Sequence, residues 1–333
     1  MCRGFESHPA HQIPVKSYMH RYIFIRVLLV PLTVISAGSI TFFLLQLVPG
    51  DYVNTLNSEG GASFKSMKVL REDLGLTEPI IVQYAKWIKS IFSGSLGYSV
   101  LGDKYVFPVL IDKLETTLTL SILSMIFSLV VSIPLGVISA MKRGSKIDEI
   151  IRVFTGIAIA TPPFWIGLLI INLTSTQLNW VPPLFYRPFH IDPITNLTFM
   201  VFPVLTIVLT SSSIIIRLLR SMILEELSQD YVRTAYAKGL SSYGVMMIHV
   251  LRNASIPIIT MMGFFFSAIL GGAVVVETVF NLPGLGSELV EAVVSRDSPM
   301  LLGIVVGLSA IMCTWILIID LIYVLIDPRI KYS

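Results

Sequence analysis

Long apolar runs alternate with short polar ones along this chain. Runs of roughly 20 apolar residues suffice to cross a bilayer core of about 30 Å. Six are long enough: 22–48, 116–141, 150–173, 199–219, 256–276 and 299–326. Each is expected to be helical, because a lone strand would leave its backbone groups unpaired in lipid. Pro31, Pro134, the pair Pro162-Pro163, Pro203 and the pair Gly271-Gly272 fall inside them and are expected as packing kinks. The loop 49–115 separates the first two runs. Within it Ile80, Ile81, Tyr84, Trp87, Ile88 and Ile91 recur at helical spacing, which predicts an amphipathic helix capping the bundle from outside. A second polar stretch, 220–255, separates the fourth run from the fifth.

Composition supports the membrane reading. Hydrophobic residues make up 54% of the chain and charged ones 14%, with a mean hydropathy of +0.79. Soluble domains carry about 25% charged residues. The predicted fold class is therefore an all-α polytopic membrane protein with six transmembrane helices. Cys2 and Cys313 are the only cysteines, too few for a disulfide framework or a thiolate metal site. The net charge of +3 is unevenly spread. With the N-terminus inside, 15 of the 24 Lys and Arg residues, among them Lys142, Arg143, Arg217, Arg220 and Arg329, fall on cytoplasmic segments. The basic asymmetry therefore places both termini in the cytoplasm.

Residues 1–18 show neither an apolar run nor a helical period, so they are expected to be a disordered extension. They lack the apolar core of a secretory signal. Translation is expected to begin at Met19, leaving "MHRYIFIRVLL" with enough positive charge to hold that end inside. Residues 19–333 form the transmembrane domain.

The chain shows little chemistry of its own. It has no G-x-x-x-x-G-K-[ST], no H-E-x-x-H and no G-x-S-x-G, so neither a P-loop nor a hydrolase motif is present. His8, His11, His20, His190 and His249 all fall outside the six runs, which argues against a metal or proton-relay site. Asp320 is the one carboxylate well within a run, near its cytoplasmic end, and is expected to partner a base or a backbone amide rather than carry protons. A proton- or ion-coupled secondary transporter, the alternative reading, would need several such carboxylates.

The chain thus reads as a pathway without an engine, and the polar stretch is where an engine could dock. In "DYVRTAYAKG", Ser228 or Asp230 is placed to cap a helix. Tyr231, Val232, Ala235 and Tyr236 form one apolar face, flanked by Arg233 and Lys238. Ala235 and Ala237 are small enough to let a partner approach, and Gly239 stands where a left-handed C-cap is expected. From these residues alone, a helix resting on the membrane surface fits equally well.

The segment "YVRTAYAKGLSSYGVMMIHVLRNASIPIIT" resembles the coupling loop of binding-protein-dependent ABC importer permeases, above all the first permease subunit of the dipeptide/oligopeptide/nickel subfamily. The blocks "LVPGD", "LREDLGLTEPIIVQYAKWIKSIFSGSLGYS", "ETVFNLPGLGSELVEAVVSRDSPMLLGIVV" and "DLIYVLIDPRI" extend the resemblance from about Tyr22 to the end. The chain departs from the general signature at Arg233-Thr234-Ala235, where the wider family has Glu-Ala-Ala, and at Tyr236, where arginine is common. The resemblance implies a type I permease architecture in a bacterial or archaeal inner membrane. It implies a heterodimer with a second permease subunit, two cytoplasmic ATP-binding subunits and an extracytoplasmic binding protein, with lipid around it and no nucleic acid. It assigns the ATPase-coupling role to Asp230, Tyr231, Val232, Arg233, Thr234, Ala235, Ala237, Lys238 and Gly239. ATP and magnesium would sit on the partner chains, with no cofactor and no catalytic residue here. Dipeptides, oligopeptides or nickel chelates are the implied cargo.

Overall fold

The computed structural model describes residues 15–48, 53, 68–69, 71–72, 75–99, 103–179, 181 and 186–326, with side chains for all of these except 15–22, 254–257 and 323–326. Helix α1 spans Val15–Leu47 and passes through Pro31 unbroken. It begins ahead of the predicted start at Tyr22, so 15–18 are helical rather than disordered; residues 1–14 lie outside the described residues.

The predicted outer helix is present as α2, Ile80–Phe92. Trp87 is its buried residue and stacks on Phe42 of α1 at 5.7 Å between ring centroids. A Cβ on Gly38 would come within 2.8 Å of the Trp87 ring, so that glycine is what lets the indole reach α1. The Tyr84 and Ser39 hydroxyls bond at 2.8 Å. After α2 the chain forms a two-stranded antiparallel ladder, β1 Tyr98–Ser99 and β2 Lys104–Tyr105, with Tyr98 opposite Tyr105. This departs from the all-α reading by two short strands in a stretch predicted as loop, with Asp103 in the left-handed region at φ 50° just before β2.

Helices α3 (Val106–Met141) and α6 (Pro193–Leu227) run through Pro134 and Pro203 and extend past the predicted spans 116–141 and 199–219. They form the broadest pairing in the bundle. Small residues stand where the two meet: the Ser132 hydroxyl reaches the Ser212 carbonyl at 3.2 Å, and a Cβ on Gly136 would meet the Leu219 Cβ at 2.9 Å. Small residues bring membrane helices close without a hydrophobic drive from water.

The third predicted span, 150–173, is not one helix. It is α4, Lys146–Ala160, and α5, Pro163–Gln177, bent by 102°. Pro163 disfavours the helical region at the residue before it, and Pro162 is extended at φ −62° and ψ 138°. Neither proline can donate back to α4. Of the described helices, five are long and apolar enough to span a membrane alone, and a sixth span exists only if this bent pair counts as one.

A short helix α7, Asp230–Ala237, follows α6. The turn Ser242–Gly244 and a π-helical stretch, Val245–Val250, then lead into α8, Leu251–Phe280, which carries Gly271-Gly272 without a break. Helices α9 (Leu285–Ser295) and α10 (Ser298–Ile326) complete the chain. The core lies where α3, α6 and α8 meet, around Leu120, Met200, Ile207, Phe266 and Phe280. Two polar contacts brace the ends. Arg26 of α1 meets Asp320 of α10 at 3.2 Å, the base partner expected for that carboxylate. At the other end the buried Glu277 of α8 accepts from the Thr117 hydroxyl at 2.7 Å and from the Gly286 and Ser287 amides at 2.7 and 3.0 Å.

Candidate coupling site

Helix α7 sits at the end of the bundle that carries Lys142, Arg143 and Arg220, the basic end. Its N-cap is Gln229, extended at φ −72° and ψ 149° and without a side-chain cap bond. The predicted cap by Ser228 or Asp230 is not formed. Ser228 instead closes α6, donating to the Glu225 carbonyl at 2.7 Å, and Asp230 is already the first helical residue. There its charge favours the positive end of the helix dipole. Its contact with Arg233, 3.7 Å between two strongly exposed side chains, adds little. At the far end Gly239 adopts φ +82° and bonds to the Tyr236 carbonyl at 2.9 Å, as a left-handed C-cap should.

The helix has two unlike faces. Val232 and Ala235 are buried against Ala140 at the end of α3, Ile223 of α6, and Val245, Met246 and Val250 of the π-helical stretch. Tyr231 is partly buried and donates to Glu226 at 2.6 Å; burial, with this carboxylate, raises its pKa above the usual tyrosine value. Asp230, Arg233, Thr234, Tyr236, Ala237, Lys238 and Gly239 are exposed. The predicted four-residue apolar face is therefore three residues wide, with Tyr236 turned out. Ala235 also serves a different purpose from the one expected: its small size lets α7 settle onto its own chain, and of the two alanines only Ala237 remains on the outer face.

A constellation beside α7 was not anticipated. Asp148, in the first turn of α4, is 1% exposed. It accepts from Arg220 Nε and Nη2 at 2.8 and 2.9 Å, from the Ser139 hydroxyl at 2.6 Å and from the Gly144 amide at 3.0 Å. One carboxylate thus ties the end of α3, the start of α4 and the basic end of α6. Part of this was visible, since Ser145 three residues before Asp148 reads as a helix cap, and its hydroxyl does accept from the Asp148 amide. The partner Arg220, 72 residues away, carries no local signal. Among the described residues no group of His, Cys, Asp and Glu is arranged to hold a metal.

Residues 19–121 match the N-terminal part, and 132–332 the main part, of the family described as binding-protein-dependent transport system inner membrane component. The chain is 36% identical over 295 residues to a probable peptide ABC transporter permease protein, y4tP, of Sinorhizobium fredii, covering 89% of this chain and 94% of that one. It is 32% identical over 339 residues to the dipeptide transport system permease protein DppB of Escherichia coli, covering 95% and 100%. Among solved structures it shares the fold of an inward-facing MetNI methionine ABC transporter chain, with a TM-score of 0.54, 13% identity, and coverage of 66% of this chain and 96% of that one. The secondary-transporter alternative gives way to these matches. The chain belongs to the binding-protein-dependent transport system inner membrane component family and is a permease subunit of an ABC importer.

Proposed function

We propose that this chain is one of two different permease subunits in an ATP-driven peptide importer of a bacterial or archaeal inner membrane. Two cytoplasmic ATPase subunits and an extracytoplasmic binding protein complete the machine, and ATP and magnesium sit on the ATPases. The cargo class rests on the names of the similar proteins, a peptide permease and a dipeptide permease. The observation that carries the mechanism is the two-faced α7. Its inner face is packed on α3, α6 and the start of α8, while its outer face offers Asp230, Arg233, Thr234, Ala237 and Lys238 to a docking protein. A push on that outer face reaches three spans at once. ATP closes the ATPase pair, and the closed pair favours one of two arrangements of the bundle. That difference in affinity is all a ligand needs to shift the equilibrium.

Two measurements test this reading. Gly239→Val should accumulate normally yet slow ATP-driven uptake several-fold. A Cβ at this position meets nothing within 4 Å, so the substitution acts through φ alone. The left-handed conformation costs an L-residue about 1–2 kcal/mol, which tilts the end of α7 and its docking face. Gly239→Asn, better tolerated at positive φ, should retain more activity. Wild-type uptake by the valine variant in membrane vesicles would exclude α7 as the coupling element. For topology, six crossings with cytoplasmic termini place Lys142 inside and Lys86 outside. A cysteine replacing Lys86 should react with an impermeant thiol reagent in intact cells, and one replacing Lys142 only after lysis. The reverse pattern would invert the protein.

A further inference from the structure

The break between α4 and α5 falls midway along the bent pair, on a largely exposed stretch, and leaves backbone groups without partners. Pro162 and Pro163 have no N–H, so the carbonyls of Ala158 and Ile159 lose their helical donors. Thr161 is extended, at φ −93° and ψ 126°, and its amide makes no cap bond to α4. No donor among the described residues reaches the carbonyl of Ala158, Ile159 or Ala160. Free acceptors at membrane depth are costly, and irregular backbone there is tolerated where it lines a cavity.

Such a cavity is present. A space of about 220 Å³ is lined by Ile159 and Thr161 at the break, Thr210 and Ser211 of α6, and Ile269 and Gly272 of α8. Thr210 and Ile269 lie at the middles of their helices, so the cavity sits at mid-depth of the spans and opens on the face of the chain that carries Ile159 and Ile214. Its wall is mixed. The Thr161 and Thr210 hydroxyls donate to the carbonyls of Ile157 and Ile207 at 2.8 and 3.0 Å, which leaves their lone pairs open. The Ser211 hydroxyl bonds to no described group. Gly272 is not demanded by packing within the chain, because a Cβ there would meet nothing within 4 Å.

We propose that this cavity is a way station for the backbone of the transported peptide. Peptide N–H groups donate to the carbonyls stranded at the α4–α5 break, and peptide carbonyls accept from the Ser211 hydroxyl. The wall fits a peptide better than its competitors. A lipid tail has no donor for the carbonyls. A helix of the second permease has already spent its backbone N–H groups on itself. Contacts to backbone alone would also let many side chains through, with selection left to the binding protein. Broken helices serve as substrate sites in other membrane transporters for the same reason. This inference rests on the chain being a peptide permease.

The test uses the complete importer in proteoliposomes, with radiolabelled alanine dipeptide and tripeptide as probes. Ser211→Trp fills the cavity, and uptake should fall about tenfold or more, the effect of losing one good contact site. Subunit assembly and binding-protein-stimulated ATP hydrolysis should persist. Ser211→Cys, in a chain with Cys2 and Cys313 replaced by serine, should react with a small thiol reagent, and saturating peptide should slow that reaction. If the unmodified importer takes up neither peptide, the peptide reading fails and this inference fails with it. If it imports peptide but Ser211→Trp transports normally, the way station alone is overturned. The same follows if peptide leaves Ser211→Cys labelling unchanged, or if the new cysteine cross-links to the second permease in every state.

Discussion

Gly286→Ala is expected to remove folded permease from the membrane. A Cβ at this position would lie 2.4 Å from the Cα of Val274 and 2.8 Å from Glu277 Oε2. The first contact is with backbone, so no rotamer change relieves it, and α9 must lift away from α8. Overpacking of a tight core costs about 1–3 kcal/mol. Lifting α9 also pulls the Gly286 and Ser287 amides off Glu277, which has no exposure to fall back on. Leaving a buried carboxyl oxygen without its hydrogen-bond partners costs about 1–3 kcal/mol more. Together these reach the lower end of the whole stability of a typical domain, about 5–15 kcal/mol. Gly284→Ala is the informative comparison. The atoms nearest its Cβ belong to the Glu277 carboxylate, at 2.3 Å, a side-chain end rather than backbone, so α9 can stay in place although Glu277 gives up some of its amide bonds in turning. The expected order is therefore loss of the monodisperse, detergent-solubilised protein for Gly286→Ala and partial retention for Gly284→Ala. Normal abundance and uptake of Gly286→Ala would refute this account of the α8–α9 junction.

Asp148→Ala is expected to be the most damaging single change at the basic end. It strips an acceptor from Arg220, Ser139 and Gly144 together and leaves the guanidinium in a site that is only 21% exposed. Removing one partner of a buried pair costs about 3–5 kcal/mol, and the partial exposure of Arg220 puts this case towards the lower figure. The damage is positional as well. The carboxylate ties α3, α4 and α6 beside the surface on which Val232 and Ala235 rest. Thermal unfolding in detergent should shift down clearly, and ATP-driven uptake should be lost even in the protein that remains. Asp148→Asn keeps an acceptor oxygen for Ser139 or Gly144 but loses the charge, so it should fall between the two. An alanine variant with wild-type melting and uptake would show that the clamp is incidental.

The spans were legible in the sequence because length and apolarity are local properties. Four long helices cover their predicted runs and α1 stops one residue short at Leu47, while 150–173 is split; α2 was readable from Trp87 and its neighbours at helical spacing. Gly239 was readable too, since a glycine behind a short helix has one common use. What escaped was everything fixed by packing across the chain. Pro162-Pro163 announced a disturbance, but the 102° bend depends on where α6 and α8 leave room. Periodicity located an apolar face on α7 without saying whether a partner or this chain would cover it, so Ala235 was assigned outward when it faces in. The link from Asp148 to Arg220 and the link from Glu277 to Gly286 join segments that share no local pattern.

The pair of Arg26 and Asp320 sets an order of events in biogenesis. Arg26 lies on α1 and Asp320 on α10, so the two partners are synthesised far apart in time. Throughout elongation the membrane therefore holds an arginine whose carboxylate has not been made, and its long side chain must reach toward the headgroups in the meantime. The arriving α10 brings an acidic group that inserts more readily if Arg26 is already waiting. The lock between α1 and α10 can therefore close only after α10 has entered the membrane, which makes it a late step in assembling the bundle.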